Sequence, residues 1–255
     1  MNDAVLFEAR EDGIAIITIN RPEERNSLGR DVRAGLFDAW DRFENDAQMR
    51  IAILTAAGDK AFCAGGNLKE MTDSQLTIPP RSMFPVPGDN VTLSKPTIAA
   101  VNGVAFAGGW LLAQACDLCV ASTAARFAVT EVRVGRGCPW AAPLIHMIPQ
   151  RIMMEILLTG APISAERAYE IGLVNRLTSP ERLMAEAIGL AHDILKGAPL
   201  SIAAARQTVM LATEMGRSAA LDAARLAWER AYCSADAQEG PRAFSEKREP
   251  VWQGA

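Results

Sequence analysis

The sequence is short of the side chains on which several large classes of function depend. It holds two histidines, His146 and His192, among 255 residues, so a histidine-rich metal site or a Ser-His-Asp triad is hard to assemble. Basic residues are outnumbered, 26 Lys and Arg against 30 Asp and Glu, for a formal net charge of -4. A chain of that balance has no broad positive footprint for a phosphate backbone, and no nucleic-acid partner is expected. No stretch approaches the roughly 20 apolar residues of a membrane span, and the opening MNDAVLFEAREDG lacks the basic-then-apolar order of a secretory leader. A cytoplasmic protein with no membrane partner is expected. The 5 cysteines are odd in number. Cys116 and Cys119 sit in an apolar run without a second ligand pair, so they read as buried thiols, and no metal site is expected.

What the chain does have is core-forming material, 49% hydrophobic residues against 22% charged, enough for one α/β domain with a helical appendage. Val5 to Glu8 and Ile14 to Ile19 read as strands joined at Glu11-Asp12-Gly13, where glycine tolerates positive φ. Apolar Val32, Leu36, Phe37, Trp40 and Phe43 recur at helical spacing over Arg30 to Asn45, and Ile51 to Thr55 then reads as a buried strand. Thr97 to Val101 and Leu118 to Ala121 are further strands around a short helix from Gly109 to Cys116. Beyond Pro139 the β signal nearly vanishes: one short strand, Leu173 to Arg176, stands among helices at Gln150 to Leu158, Ala165 to Ile171 and Pro180 to Leu195. Three more helices are predicted, at Pro199 to Glu214, Ser218 to Ala235 and Ala237 to Lys247. Residues 1–197 are therefore read as the core and 198–255 as a helical assembly region. Thr72 to Pro96, with five prolines and Gly88, is predicted to be irregular, either a lid or a long surface loop.

Two segments carry chemistry: Ala61-Phe62-Cys63-Ala64-Gly65-Gly66-Asn67-Leu68 and Ala105-Phe106-Ala107-Gly108-Gly109-Trp110-Leu111. Each sets a glycine pair ahead of a helical stretch, where free amide N–H groups suit an oxygen gaining negative charge. Taken singly, such pairs are more often tight turns or close-packing devices.

The ordered set of motifs resembles the enoyl-CoA hydratase/isomerase, or crotonase, superfamily. Ile17-Thr18-Ile19-Asn20-Arg21-Pro22 with Arg25-Asn26-Ser27-Leu28 is similar to its opening strand and loop. Phe62 to Met71, and Lys95 to Gly103 with Gly108-Gly109, are similar to its two oxyanion loops. Leu158-Thr159-Gly160, Gly172-Leu173-Val174 and Ala243 to Arg248 resemble its later segments. The resemblance implies the crotonase (ClpP-like) spiral of ββα turns with a C-terminal helical region, assembled as a trimer or hexamer. It implies an acyl-CoA substrate of the kind met in fatty acid metabolism, with coenzyme A carried by the substrate and no separate cofactor. Gly66 and Gly108 fall at the oxyanion amides. The backbone of Arg25, Asn26, Ala64 and Gly65 falls at the coenzyme A cradle, and Phe244 and Lys247 at positions that meet the nucleotide, often from a neighbouring subunit.

Hydratases of the family carry two glutamates. Here Glu131 occupies the second place and Leu111 the first, while Trp110, Cys138 and Trp140 are expected to shape the acyl pocket. Hydration needs water activated at one carbon and a proton delivered to the next, work for two carboxylates; shifting a double bond from the 3,4 to the 2,3 position needs one. Burial near Leu111, Trp110 and Trp140 is expected to raise the pKa of Glu131. Asp117 is expected to be structural. The leading expectation is an isomerase-type, one-glutamate enzyme. Beside it stand a hydratase (lyase) using Glu131 and an inactive CoA-binding relative.

Overall fold

The computed structural model describes residues 3–73 and 75–255, with Leu68 by its backbone alone. The chain opens with strands β1 (Val5–Ala9) and β2 (Ile14–Ile19), then helix α1 (Arg30–Asn45) and β3 (Ile51–Ala56). Strand β4 (Ala61–Cys63) and α2 (Leu68–Asp73) follow, then β5 (Thr97–Val101), β6 (Val104–Phe106), α3 (Gly108–Ala115), β7 (Leu118–Ser122) and β8 (Arg126–Ala128). Short 3-10 helices cover Glu131–Val134 and Pro139–His146. The remaining elements are α4 (Gln150–Thr159), β9 (Ile163–Ser164), α5 (Ala165–Glu170), β10 (Arg176–Thr178), α6 (Leu183–Leu195), α7 (Pro199–Glu214), α8 (Arg217–Tyr232) and α9 (Asp236–Glu246).

Two sheets carry these strands. One has the order β1-β2-β3-β5-β7-β10 and the other β4-β6-β8-β9. Strands β3, β5 and β7 run parallel in the first, as do β4, β6 and β8 in the second. The chain therefore repeats one long strand, one short strand and one helical piece three times, which is the expected spiral of ββα turns. All six residues of β3 are buried, because both faces of the first sheet are covered. Ile51 and Ile53 pack with Ile98, Val120 and, from α6, Leu183 and Ala187. Their neighbours Ala52 and Leu54 face the other way, into the core that holds Leu36, Trp40 and Phe43 of α1, as the period of two in a strand requires.

Two expectations change. The strand predicted at Leu173 to Arg176 lies at Arg176–Thr178. Leu173 and Val174 instead turn beneath α5, their amides donating to the Ala168 carbonyl at 2.9 and 3.2 Å. The second sheet, built of strands of two or three residues, has no counterpart in the predicted elements. The stretch Thr72 to Pro96 is irregular after the end of α2, as expected, although Ser74 within it lies outside the described residues. No helix among the described residues is long and apolar enough to cross a membrane.

Candidate active site

The first glycine segment leaves β4 and turns sharply at Gly65, whose φ is +100°. A β-carbon there would lie 2.9 Å from Ala107 Cβ and 3.1 Å from the Phe106 carbonyl oxygen, so this residue must be glycine on both conformational and steric grounds. The second segment enters α3 through Ala107, which holds φ 51° and ψ -118° without being glycine. Strain of this kind costs about 1–3 kcal/mol and persists where surrounding contacts over-determine it. Here the Ala107 amide is held by the Ala128 carbonyl at 2.8 Å. At Gly109 a side chain would run into the Cys63 carbonyl oxygen, so the start of α3 is pressed against the end of β4.

These contacts bring two amides together. A β-carbon built on Gly108 would sit 3.7 Å from the Gly66 nitrogen, and one built on Gly65 would sit 3.5 Å from the Gly108 nitrogen. Among the described residues neither amide has an acceptor. Both glycines border a cavity of about 1570 Å³, together with Ala64, Leu111, Glu131 and Trp140.

Glu131 opens its 3-10 helix and is 8% exposed. Its Oε1 accepts from Trp140 Nε1 at 3.1 Å, while Oε2 is buried with no partner. Burial pushes the Glu131 carboxyl above the usual glutamate range, and its own backbone amide and the Trp140 indole pull it partly back. The same charge, after burial itself, helps hold the neighbouring Cys138 thiol up. The Trp140 carbonyl accepts from Gln114 Nε2 at 2.7 Å, and Gln114 Oε1 is a second buried atom without a partner. The indole and carbonyl of Trp140 thus link the Glu131 carboxylate to an amide on α3, one turn beyond Leu111.

Other acids on this cavity are already engaged or exposed. Asp117 accepts from Arg206 Nε at 2.8 Å and from both the amide and hydroxyl of Thr97, a brace between α7 and the sheet, in line with its expected structural part. Asp89 is paired with Arg81, and Glu214 is exposed at the end of α7. Glu70 lies elsewhere, accepting from Arg30 N and Arg33. Asn67 caps α2 through Oδ1 to the Glu70 amide.

Several expected site residues stand apart. Trp110 does not line the cavity: it is fully buried, edge-on to Phe127 at 5.8 Å, because successive helical residues point about 100° apart and Leu111 takes the cavity side. The Asn26 side chain is 1% exposed and spent internally, accepting from Arg21 N and donating to the Ala57 and Ala61 carbonyls. It pins the loop and has no free donor for a ligand. Arg25 is exposed, and its carbonyl accepts from Ala64 N at 3.1 Å, which fastens the expected cradle together by backbone. Phe244, 88% exposed, and Lys247, at the left-handed end of α9, lie outside the cavity of this chain. Among the cavity residues that were not anticipated are Gln114, Arg136 and His146. Two of them are marked by orphan buried atoms that only coordinates reveal.

Comparison with known proteins gives the family. Residues 9–255 match the family model described as enoyl-CoA hydratase/isomerase. The (E)-benzylidenesuccinyl-CoA hydratase of Thauera aromatica is 38% identical over 256 residues, covering 95% of this chain and 96% of its own. The carnitinyl-CoA dehydratase of Salmonella heidelberg (strain SL476) is 36% identical over 259 residues, 98% of each chain. Among solved structures, an enoyl-CoA hydratase from Mycobacterium tuberculosis H37Rv superposes with a TM-score of 0.91 at 38% identity, over 99% of this chain and 100% of that one.

Proposed function

The chain belongs to the enoyl-CoA hydratase/isomerase family, and from that premise we propose that it moves a proton at the carbon next to the carbonyl of an acyl-CoA thioester. The amides of Gly66 and Gly108 take the thioester oxygen and hold the negative charge that grows on it as the enolate forms. One such donor is worth about 3 kcal/mol in comparable sites. Glu131 Oε2 accepts the proton from Cα and, with the enolate held, returns it at Cγ, so that the double bond moves and no atom is added. Coenzyme A enters with the substrate, and the step needs no further cofactor.

The observation that carries this reading is the pairing of Glu131 with Leu111. Glu131 is buried, with one oxygen free, on the cavity that the two amides border. Leu111 leaves the place of a second carboxylate apolar. Burial supports the same role, because a raised pKa brings a carboxylate nearer the operating pH of a proton shuttle. Hydration is the second reading, favoured by the names of the two relatives, a hydratase and a dehydratase. Gln114 Oε1, unpartnered on the same cavity, then has a water to hold in place of a second glutamate.

Product analysis in isotopically labelled water separates the two. Isomerisation gives a rearranged enoyl-CoA with no solvent oxygen; solvent oxygen in the product would favour the lyase reading. Residues 198–255 are proposed as the region through which copies assemble as a trimer or hexamer. Support comes from Leu221, Leu226 and Tyr232 of α8, which are 52%, 67% and 71% exposed in the single chain.

A further inference from the structure

Among the described residues six buried side-chain polar atoms lack a hydrogen-bond partner, and three of them, on Glu131, Gln114 and Arg136, belong to residues lining the one cavity described above. Glu131 and Gln114 are accounted for by proton transfer and water. Arg136 is not. It follows the Glu131 helix, its amide donating to the Glu131 carbonyl at 2.9 Å, and it lies between Gly135 and Gly137, which are both exposed. Its guanidinium nevertheless turns inward. Nη1 donates to the Leu76 carbonyl at 2.8 Å, and Nη2 is buried with no partner.

The charge is unspent as well. The other two arginines on the cavity, Arg81 and Arg206, are paired with Asp89 and Asp117. Arg136 forms no ion pair with any described acid, Glu131 included. Arg136 as a whole is half-buried, but a buried guanidinium nitrogen left without an acceptor is costly, and an anion arriving beside it would remove that cost. Arginine in particular presents parallel N–H groups that match a carboxylate. Because Arg136 is carried on the same loop as Glu131 and Trp140, its anion belongs near the reacting end of the thioester.

We propose that Arg136 is a specificity residue for acyl-CoA thioesters whose acyl group bears a second, distal carboxylate, with the guanidinium as that carboxylate's partner. The inference rests on the acyl-CoA reading and narrows it to a substrate class. Two alternatives share the chemistry or the geometry: Arg136 meeting a phosphate of coenzyme A, and Arg136 serving only to anchor the stretch around Leu76.

Calorimetry with saturated thioesters separates these without requiring turnover. Succinyl-, glutaryl- and adipyl-CoA are compared with butyryl-, valeryl- and hexanoyl-CoA on the parent protein and on Arg136→Met and Arg136→Lys. At least one dicarboxylic thioester is expected to bind the parent about 30-fold tighter than its neutral counterpart, the lower end of what a buried charge pair gives. Arg136→Met should remove that preference while leaving the neutral thioesters within a few-fold, and Arg136→Lys should keep part of it. A parent without preference for any dicarboxylic member overturns the inference. So does an Arg136→Met protein that weakens on charged and neutral thioesters alike, the result for a phosphate or anchoring role. If Arg136→Met fails to fold, the preference of the parent and its partial survival in Arg136→Lys decide. Failure of every thioester to bind would instead sink the acyl-CoA reading itself.

Discussion

Replacing Trp140 by phenylalanine takes one hydrogen-bond donor from Glu131 and leaves the aromatic cover. The backbone carbonyl of Trp140, which Gln114 Nε2 uses, is also retained. The lost bond is the 3.1 Å contact from Nε1 to Oε1. It favours the ionised carboxyl and so opposes the burial that raises the Glu131 pKa. A hydrogen bond to a charged group is worth about 1.5–3 kcal/mol. The protonated carboxyl keeps part of that value, so about 1.4 kcal/mol, or about one pH unit, separates the two protonation states. The sign follows directly. Losing the donor raises the pKa further, and since the carboxylate is the active base, the acid limb of kcat/KM moves to higher pH by about one unit. Well above the new pKa the rate should change little. The assay is the pH profile of kcat/KM on an enoyl-CoA that the parent turns over, with folding checked at each pH. An acid limb that stays in place, or moves down, in a folded Trp140→Phe protein would contradict the reading of Glu131 as a base whose pKa the Trp140 indole holds down.

The same burial has a consequence for stability. A group whose folded pKa is raised contributes stability that is fully present below the unfolded value, about 4.3, and is lost as pH rises through the folded one. Glu131→Gln, which cannot ionise, should therefore melt above the parent at neutral pH and converge with it in acid; a lower Tm at neutral pH would contradict this. Asp117→Ala breaks a pair whose side chains are only about 15% exposed and strands Arg206, which should cost about 3 kcal/mol or more in denaturant unfolding. A loss below about 1 kcal/mol would show that the brace is dispensable. Light scattering is expected to give a trimer or larger, with α8 hidden from solvent, and a monomer would contradict the assembly proposed for 198–255.

The long elements were legible because their residues repeat at the period of the structure they form. The apolar run Ile14–Ile19 after the Gly13 turn and the helical spacing of Leu36, Trp40 and Phe43 predict β2 and α1 to the residue. The second sheet was not legible, since three residues such as Ala61–Cys63 are too few to show a period. Leu173 and Val174 misled for a related reason: they are apolar because they pack under α5, a demand that a strand and a turn satisfy equally. At the site, the glycine pairs and Glu131 could be picked out from motif order, and the cavity gathers Gly66, Gly108 and Glu131 with Leu111 and Trp140. Which of Trp110 and Leu111 faces the cavity depends on the phase of α3, set by the contact of Gly109 with Cys63 and invisible in the chain alone. Arg136 gave no signal, because an arginine between glycines reads as exposed until its guanidinium is seen turned inward.

One carboxylate moving the proton is the claim on which the rest depends, and turnover by Glu131→Gln beside its affinity for a saturated acyl-CoA tests it most directly. The amide keeps the size of the side chain and the acceptor for Trp140 but cannot take a proton. Turnover is expected to fall by about 10²–10⁴-fold, with affinity within a few-fold of the parent. A folded Glu131→Gln protein that keeps parental turnover on every thioester the parent accepts would show that another group carries the proton.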